Sequence, residues 1–368
     1  MSAVPNGHRL TALRELEGET QGVTAARLGI SQAMVSKIEK AERPLGLEIV
    51  ERASREYRVP EAFFFVAPSL LDVSHPTFRK HSAAKVADER RIVRRYKEAS
   101  RSFDAASAAS GYHEARLYPG LEDADFEGAA LRVREAVGVH ANDPIPNVTR
   151  LLERLGFGVI ADLDDDVAVD DPKHAGISIP ANGAGRPLIA LAKPMRGEDQ
   201  RMTLAHELGH HIWDRSHTLP WTSTRSPEER RAYDFAGALL MPKAMITKRV
   251  TETLNLVGYL PIKAEYGVGV DAIVMRAKKL GVISPERVRS LFIQLSARGW
   301  RKQEPVEVVR ERPLLFGQSM ERAVGLTELA VEKLTALPAG MVFRWMERTP
   351  EPESVVDLAS WRARRVDG

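Results

Sequence analysis

The stretch Leu204–Asp214, LAHELGHHIWD, sets the reading of the whole chain. His206 and His210 stand four positions apart. On an α-helix they lie one above the other and can aim their ring nitrogens at a single ion. Glu207 is rotated off that pair, where it can hold a water at the ion without ligating. Met202, Ala205, Leu208 and Ile212 give the same helix an apolar face, and Gly209 leaves room for a close neighbour. Two imidazoles do not complete a zinc site of the usual kind, so a third ligand has to be sought.

A third histidine at metzincin spacing is excluded. Trp213 and Ser216 stand where that pattern needs Gly and His, and His217 misses by one position. The better candidate lies in SPEERRAYDFAGALLMP (226–242). Ser226 caps a second helix, Pro227 takes its first position, and Ala232, Phe235, Ala236, Leu239 and Leu240 form its apolar stripe. Glu229 sits on the first turn, with eighteen residues between it and His210. His, His and Glu with an open fourth position is the glutamate-zincin arrangement. Upstream, NVTRLLERLGFGVIADL reads as a helix stopped at Gly156 and a strand over Phe157–Ala161. HAGISIP and RPLIALA read as two more strands joined by ANGAG.

The blocks TLAHELGH (203–210) and ExxAxxFAxxLLMP (229–242), with YGVGVDAIVMRAKKLGVIS (266–284) and ARGWRKQEP (297–305), resemble the ImmA/IrrE family of metallopeptidases from about Pro144 to Trp300. The resemblance implies Zn2+ on His206, His210 and Glu229, with Glu207 as general base and acid. It also implies regulated, site-limited cleavage of a transcriptional regulator. One departure stands out: after Ala232, where the family usually has Asn or Asp, this chain has Tyr233. A small polar group there would orient a ligating imidazole. Tyr233, His211 and Asp214 are therefore candidates for the shell behind the ligands, and His211 and Asp214 also for an oxyanion contact. The strand HAGISIP, or its partner, is the expected dock for an extended substrate by β-addition.

Working back toward the N-terminus, TQGVTAARLGISQAMVSKIEKAERP (20–44) gives two short helices and a tight turn. Thr20 caps the first, whose inward residues are read as Val23, Ala25 and Leu28, and Gly29 ends it. Ser31 caps the second, with Val35 and Ile38 inward, and Pro44 stops the continuation. A turn of about three residues is the spacing of a helix-turn-helix. The stretch resembles the Xre/Cro-type helix-turn-helix family over roughly the first 65 residues. By that resemblance Gln32, Ala33, Met34 and Lys37 face base edges in the major groove, while Gln21, Ser36 and Arg43 hold phosphates. Ser31 belongs to the same face. Gln32 suits adenine, Lys37 suits guanine, and Arg43 suits a backbone contact. Gly22 and Lys40-Ala41 depart from the pattern and weaken the helix ends.

Composition agrees with this two-part reading. The chain has 368 residues, 43% apolar and 28% charged, with no cysteine and a net charge of +3. Without cysteine, any metal is held by His and carboxylates. No apolar run approaches a membrane span, and the opening MSAVPNGHRL has no signal core, so a cytoplasmic location with no membrane contact is expected. Residues 1–66 balance nine basic against nine acidic side chains, so DNA affinity should depend on dimerisation or on neighbouring cations. The window His75–Ser102 carries nine basic and three acidic residues, and DLDDDVAVDD (162–171) carries six Asp. Residues 82–111 read as a helix with sparse apolar positions, a wet connector or a basic arm reaching the DNA backbone or a dimer partner. A second helix is expected near Phe126–Val137, and short helices over Met320–Leu337 and Val355–Arg365.

The expectation is a mainly α chain with a small mixed β-sheet (α+β). Residues 1–68 form the DNA-binding bundle, 69–140 a basic helical connector, 141–303 the zincin-like domain and 304–368 a helical extension. The expected partners are a double-stranded DNA operator, a second copy of the chain in a homodimer, and a protein substrate that is a repressor or the chain itself. The alternative is a DNA-binding repressor or antitoxin-like regulator whose zincin domain senses or dimerises without proteolysis.

Overall fold

The computed structural model describes residues 4–77, 86–112, 120–164, 176–180, 185–217 and 226–350. At the N-terminus, α1 (His8–Leu16), α2 (Gln21–Leu28), α3 (Gln32–Glu39) and α4 (Leu47–Tyr57) enclose Leu10, Leu13, Leu28, Val35, Ile38 and Val50. Thr20 accepts from the Val23 amide and Ser31 from the Met34 amide, so both expected caps are in place. Between them Gly29 takes φ +60°, the left-handed conformation that lets α3 turn across α2. Ala41 adopts φ +58° just beyond α3, filling without a glycine the place where one was expected. Val23 is a correction: it is exposed, and Thr24 is buried instead. The Thr24 hydroxyl donates to Glu19, which also accepts from Tyr57 and Arg27, so a satisfied polar residue replaces an apolar one in the core.

After the short α5 (Leu70–Val73) comes α6 (Val86–Ser110), and here the wet connector is corrected. Ile92, Tyr96, Ala99, Phe103 and Ala106 are fully buried at helical spacing. Ser100, Ser102 and Ser107 are buried among them, and these small side chains let neighbours approach. The helix packs on α1 at one end and on α15 (Leu315–Val324), α16 (Glu328–Thr335) and α17 (Ala339–Met346) at the other.

Four of its five arginines are spent on carboxylates of the fold, and Arg90 is exposed. Arg91 Nε and Arg95 Nη1 each lie 2.7 Å from Asp164, which is fully buried, so the basic window meets the acidic run. Arg94 pairs with Glu15 at 2.8 Å, and Glu98 binds Arg9 of α1 and Arg101. Of the other residues in those two runs, Arg79, Lys80, Lys85 and 165–171 lie outside the described residues, as do most of ANGAG and the helix expected at 355–365.

The sheet is small and mixed. β1 (Gly158–Ile160) runs parallel to β3 (Leu188–Leu191), and β2 (Gly176–Ser178) pairs antiparallel with β3 on its other side, giving the order β1-β3-β2. All three strands are buried, covered by α8 (Val148–Arg154), by α6 and by α9 (Gly197–Trp213). The partner of α9 is α10 (Pro227–Leu240), whose stripe Ala232, Phe235, Ala236, Leu239 and Leu240 is buried as read. A Cβ on Gly209 would stand 3.0 Å from Ala232 Cα, so that glycine sets the closeness of the two helices. α7 (Phe126–Ala136) covers α10 with Ala129, Ala130 and Val133.

The helices α11 (Lys243–Arg249), α12 (Leu260–Tyr266), α13 (Val270–Lys279) and α14 (Pro285–Ala297) complete this region. Beyond them Glu311 accepts from the Val148 and Thr149 amides at the start of α8, tying the later chain back to the sheet domain. The helix expected over Met320–Leu337 is broken at Gly325 into α15 and α16.

Candidate metal centre and helix-turn-helix face

Two sequence facts place the ligands. The i, i+4 spacing stacks His206 and His210 on one face of α9, and the Ser226 cap with Pro227 at the first helical position fixes where α10 begins. Because the helices meet at Gly209, the first turn of α10 brings Glu229 over both rings. His210 Nε2 lies 3.1 Å from His206 Nε2 and 2.9 Å from Glu229 Oε1, and His206 Nε2 lies 3.4 Å from Glu229 Oε2. All three side chains are buried. Among the described residues they form the one group of three or more His, Asp or Glu whose ligand atoms lie within 4.8 Å of one another.

This triangle fits a zinc ion. A tetrahedral ion with bonds of about 2.0–2.1 Å holds its ligand atoms roughly 3.3 Å apart, and the three edges bracket that length. The donor chemistry agrees: two imidazole lone pairs and a carboxylate converge, and a single proton on His210 Nε2 can point at only one of its two neighbours.

Asp214, one turn after His210 on α9, completes the arrangement. Its Oδ2 lies 2.7 Å from His210 Nδ1, and its Oδ1 accepts from Arg231 at 2.5 Å. A carboxylate on the far nitrogen fixes the imidazole so that Nε2 faces the cluster. Tyr233 takes a different place. Its ring lies tilted against that of His206, centroids 4.2 Å apart. His211 does not join the group. It is buried edge-on against Phe157, and burial, helped by His210 and Arg215, pushes its imidazole down to about 3.

Glu207 lies on the neighbouring face of α9, beside β2. Its Oε2 accepts from the Ser178 hydroxyl at 2.7 Å and from the Thr77 hydroxyl at 2.8 Å. A Cβ on Gly176 would stand 2.6 Å from Glu207 Oε1, so only glycine at the start of β2 leaves that carboxylate its space. Sequence reading missed Thr77, Ser178 and Arg231. Ser178 lies in a strand assigned to substrate docking, but nothing local marks Thr77, 130 positions from its partner. A cleft of about 520 Å³ opens beside His206 and Tyr233, with Met202, Met241 and Met275 among its walls.

On the N-terminal module the candidate DNA contacts gather on one outward face. Ser31, Gln32, Ala33, Lys37 and Arg43 are exposed, and Met34 and Ser36 half-buried. Gln21 is also half-buried, and its amide donates to Glu39 at 2.8 Å, which in turn holds Arg14. Among the described residues no helix is long and apolar enough to cross a membrane.

Residues 7–62 match the family model of a helix-turn-helix domain, and residues 163–278 match that of peptidase family M78, the IrrE N-terminal-like domain. No curated protein matches the chain. The second match takes in His206, Glu207, His210, Glu229 and Asp214; the first takes in every candidate DNA contact. One chain thus matches a helix-turn-helix domain and an IrrE N-terminal-like domain, the pairing its sequence motifs resemble.

Proposed function

We propose that this chain is a DNA-binding transcriptional regulator carrying a zinc-dependent endopeptidase centre that cuts a repressor or the chain itself. The observation that carries the peptidase half is the buried His206–His210–Glu229 triangle with Asp214 behind His210. His206, His210 and Glu229 are the residues that would hold the ion. Zinc, when bound, supplies a Lewis acid that polarises a peptide carbonyl and acidifies a coordinated water. Asp214 keeps His210 in the tautomer whose Nε2 is a lone-pair donor, and Arg231 holds Asp214 in place. Glu207 takes the proton of the attacking water on its carboxylate and returns it to the leaving amine. The cleft beside His206 gives an apolar side chain of the substrate somewhere to lie.

The DNA-binding half rests on α3, whose exposed Gln32 and Lys37 reach for base edges while Arg43 holds a phosphate. Homodimerisation would place two such helices on successive half-sites of an operator. The second reading, a regulator whose zincin domain senses or dimerises, draws on the Tyr233 ring packed against His206, where the family that the sequence resembles usually has Asn or Asp. Intact mass of the zinc-loaded chain, incubated alone and with extracts containing candidate repressors, separates the two. The peptidase reading predicts a defined fragment that disappears in Glu207→Gln; an unchanged mass pattern in both leaves the sensing reading in its place.

A further inference from the structure

Among the described strands β2 is one of the two edges of the sheet, so one of its sides faces away from β3. On that side Ser178 presents both its N–H and its C=O, the pair an incoming strand would meet. Both are already taken. The Thr77 amide donates to Ser178 O at 2.8 Å, and the Ser178 amide donates to Thr77 Oγ1 at 2.9 Å. The same hydroxyl donates to Glu207 Oε2. Thr77 is 4% exposed, buried against this edge of β2. One side chain thus caps the edge and touches the carboxylate assigned to proton transfer. Ser74–Thr77 follows directly on α5, where Asp72 is anchored to α6 through Lys97 Nζ on its carbonyl, 2.7 Å, and Arg94 on its carboxylate, 3.1 Å. The anchored point lies five residues before Thr77, so the occupant can leave without undoing the fold behind it.

We propose that the outer edge of β2 beside Glu207 is a docking site for an extended peptide strand, and that this chain's own Thr77, at the end of the Ser74–Thr77 segment, occupies it as a built-in competitor. A substrate strand pairs with Ser178 only after Thr77 has left. Since the segment continues from the helix-turn-helix module, the state of that module and access to the centre share one piece of chain. The inference rests on the peptidase reading for its biological sense, but its test does not need cleavage.

The experiment uses the full chain loaded with zinc and a fluorescein-labelled synthetic peptide, LLDVSHPTFRK, the sequence of residues 70–80. Three forms are compared by fluorescence anisotropy: the parent chain, Thr77→Val, and the conservative Thr77→Ser. Thr77→Val keeps the volume and the amide but loses the hydroxyl's bonds to Ser178 and Glu207. It should bind the peptide at least about tenfold tighter than the parent, because the competing internal state is weakened. Thr77→Ser should bind like the parent. Amide hydrogen exchange should quicken at Ser178 in Thr77→Val and slow again when peptide is added. Equal peptide affinity in the parent and Thr77→Val, with unchanged exchange at Ser178 and melting curves showing both folded, overturns the proposal. Peptide that binds Thr77→Val tightly yet stays intact supports the docking site and counts against the peptidase reading, so the two fail separately.

Discussion

The pair α2–α3 turns its candidate DNA contacts outward, whereas the pair α9–α10 turns its candidate metal ligands inward. Gln32, Lys37 and Arg43 are exposed and rest on a core of Leu28, Val35 and Ile38 that does not need them. His206, His210, Glu229, Glu207 and Asp214 are all buried. Each is held by a named neighbour: Asp214 by Arg231 and His210, Glu207 by Ser178 and Thr77, the ligands by one another. The difference follows from the ligand. A nucleic acid arrives from solvent and is met by flexible side chains, whereas a cation has to be surrounded by groups whose cost of burial is offset by pairing. Substitutions in the first pair should therefore alter recognition and leave stability unchanged; in the second, they should alter function and lower the stability of a fold that still forms.

The largest effect should fall on the joint between the two regions. Burial alone would raise the Glu98 carboxyl, but Arg101 and Arg9 outweigh it and hold it at about 2. Glu98→Gln leaves Arg9 of α1 without its charged partner inside the fold, which should cost about 3–5 kcal/mol. Because the folded value lies below the ordinary 4.5, this contribution is complete above the ordinary value and is lost as pH falls through about 2. Denaturant melts of the parent should therefore weaken progressively across that acid range. Glu98→Gln should be less stable at pH 7 and show a shallower acid decline; equal stability at pH 7 would remove the joint from the account.

Next in size is Asp214→Asn, which keeps the shape but loses the carboxylate behind His210. Zinc affinity, measured by competition with a chromophoric chelator, should fall roughly 10–100-fold. An unchanged affinity would mean that His210 is oriented by packing alone. On the outward pair, Lys37→Ala and Gln32→Ala should each relax discrimination at one base position by about 1–3 kcal/mol, with the melting midpoint unmoved. A drop in stability there would blur the contrast between the pairs. Smallest is Arg43→Ala, which should weaken binding to all sequences alike and reduce the salt slope by about 1. Selective loss at one operator position would instead place Arg43 against a base.

Much of α9 and α10 was legible because the signals are local: four-residue spacing for the histidines, Ser226 and Pro227 for the helix start, glycine at the crossing. Asp214 could be read for the same reason, being one turn past His210. What escaped depends on distant partners. Val23 looked inward because apolar letters carry the periodicity, whereas Thr24 takes that place through a hydrogen bond to Glu19. α6 looked wet because most of its arginines find their carboxylates far away in the chain, up to 79 positions in the case of Arg94 and Glu15. His211 shares its helix with both ligands, yet its direction around the axis sends it to Phe157. Thr77 is an ordinary threonine until the sheet edge reaches it.

The central claim is that His206, His210 and Glu229 together hold one ion. Metal content of the purified full chain, by inductively coupled plasma mass spectrometry after equilibration with zinc and removal of the excess, tests it most directly. The account predicts one zinc per chain in the parent and in Thr77→Val, and loss of that zinc in Glu229→Ala and His206→Ala with the fold retained by circular dichroism. One zinc per chain in both ligand variants, or none in the parent, would contradict it.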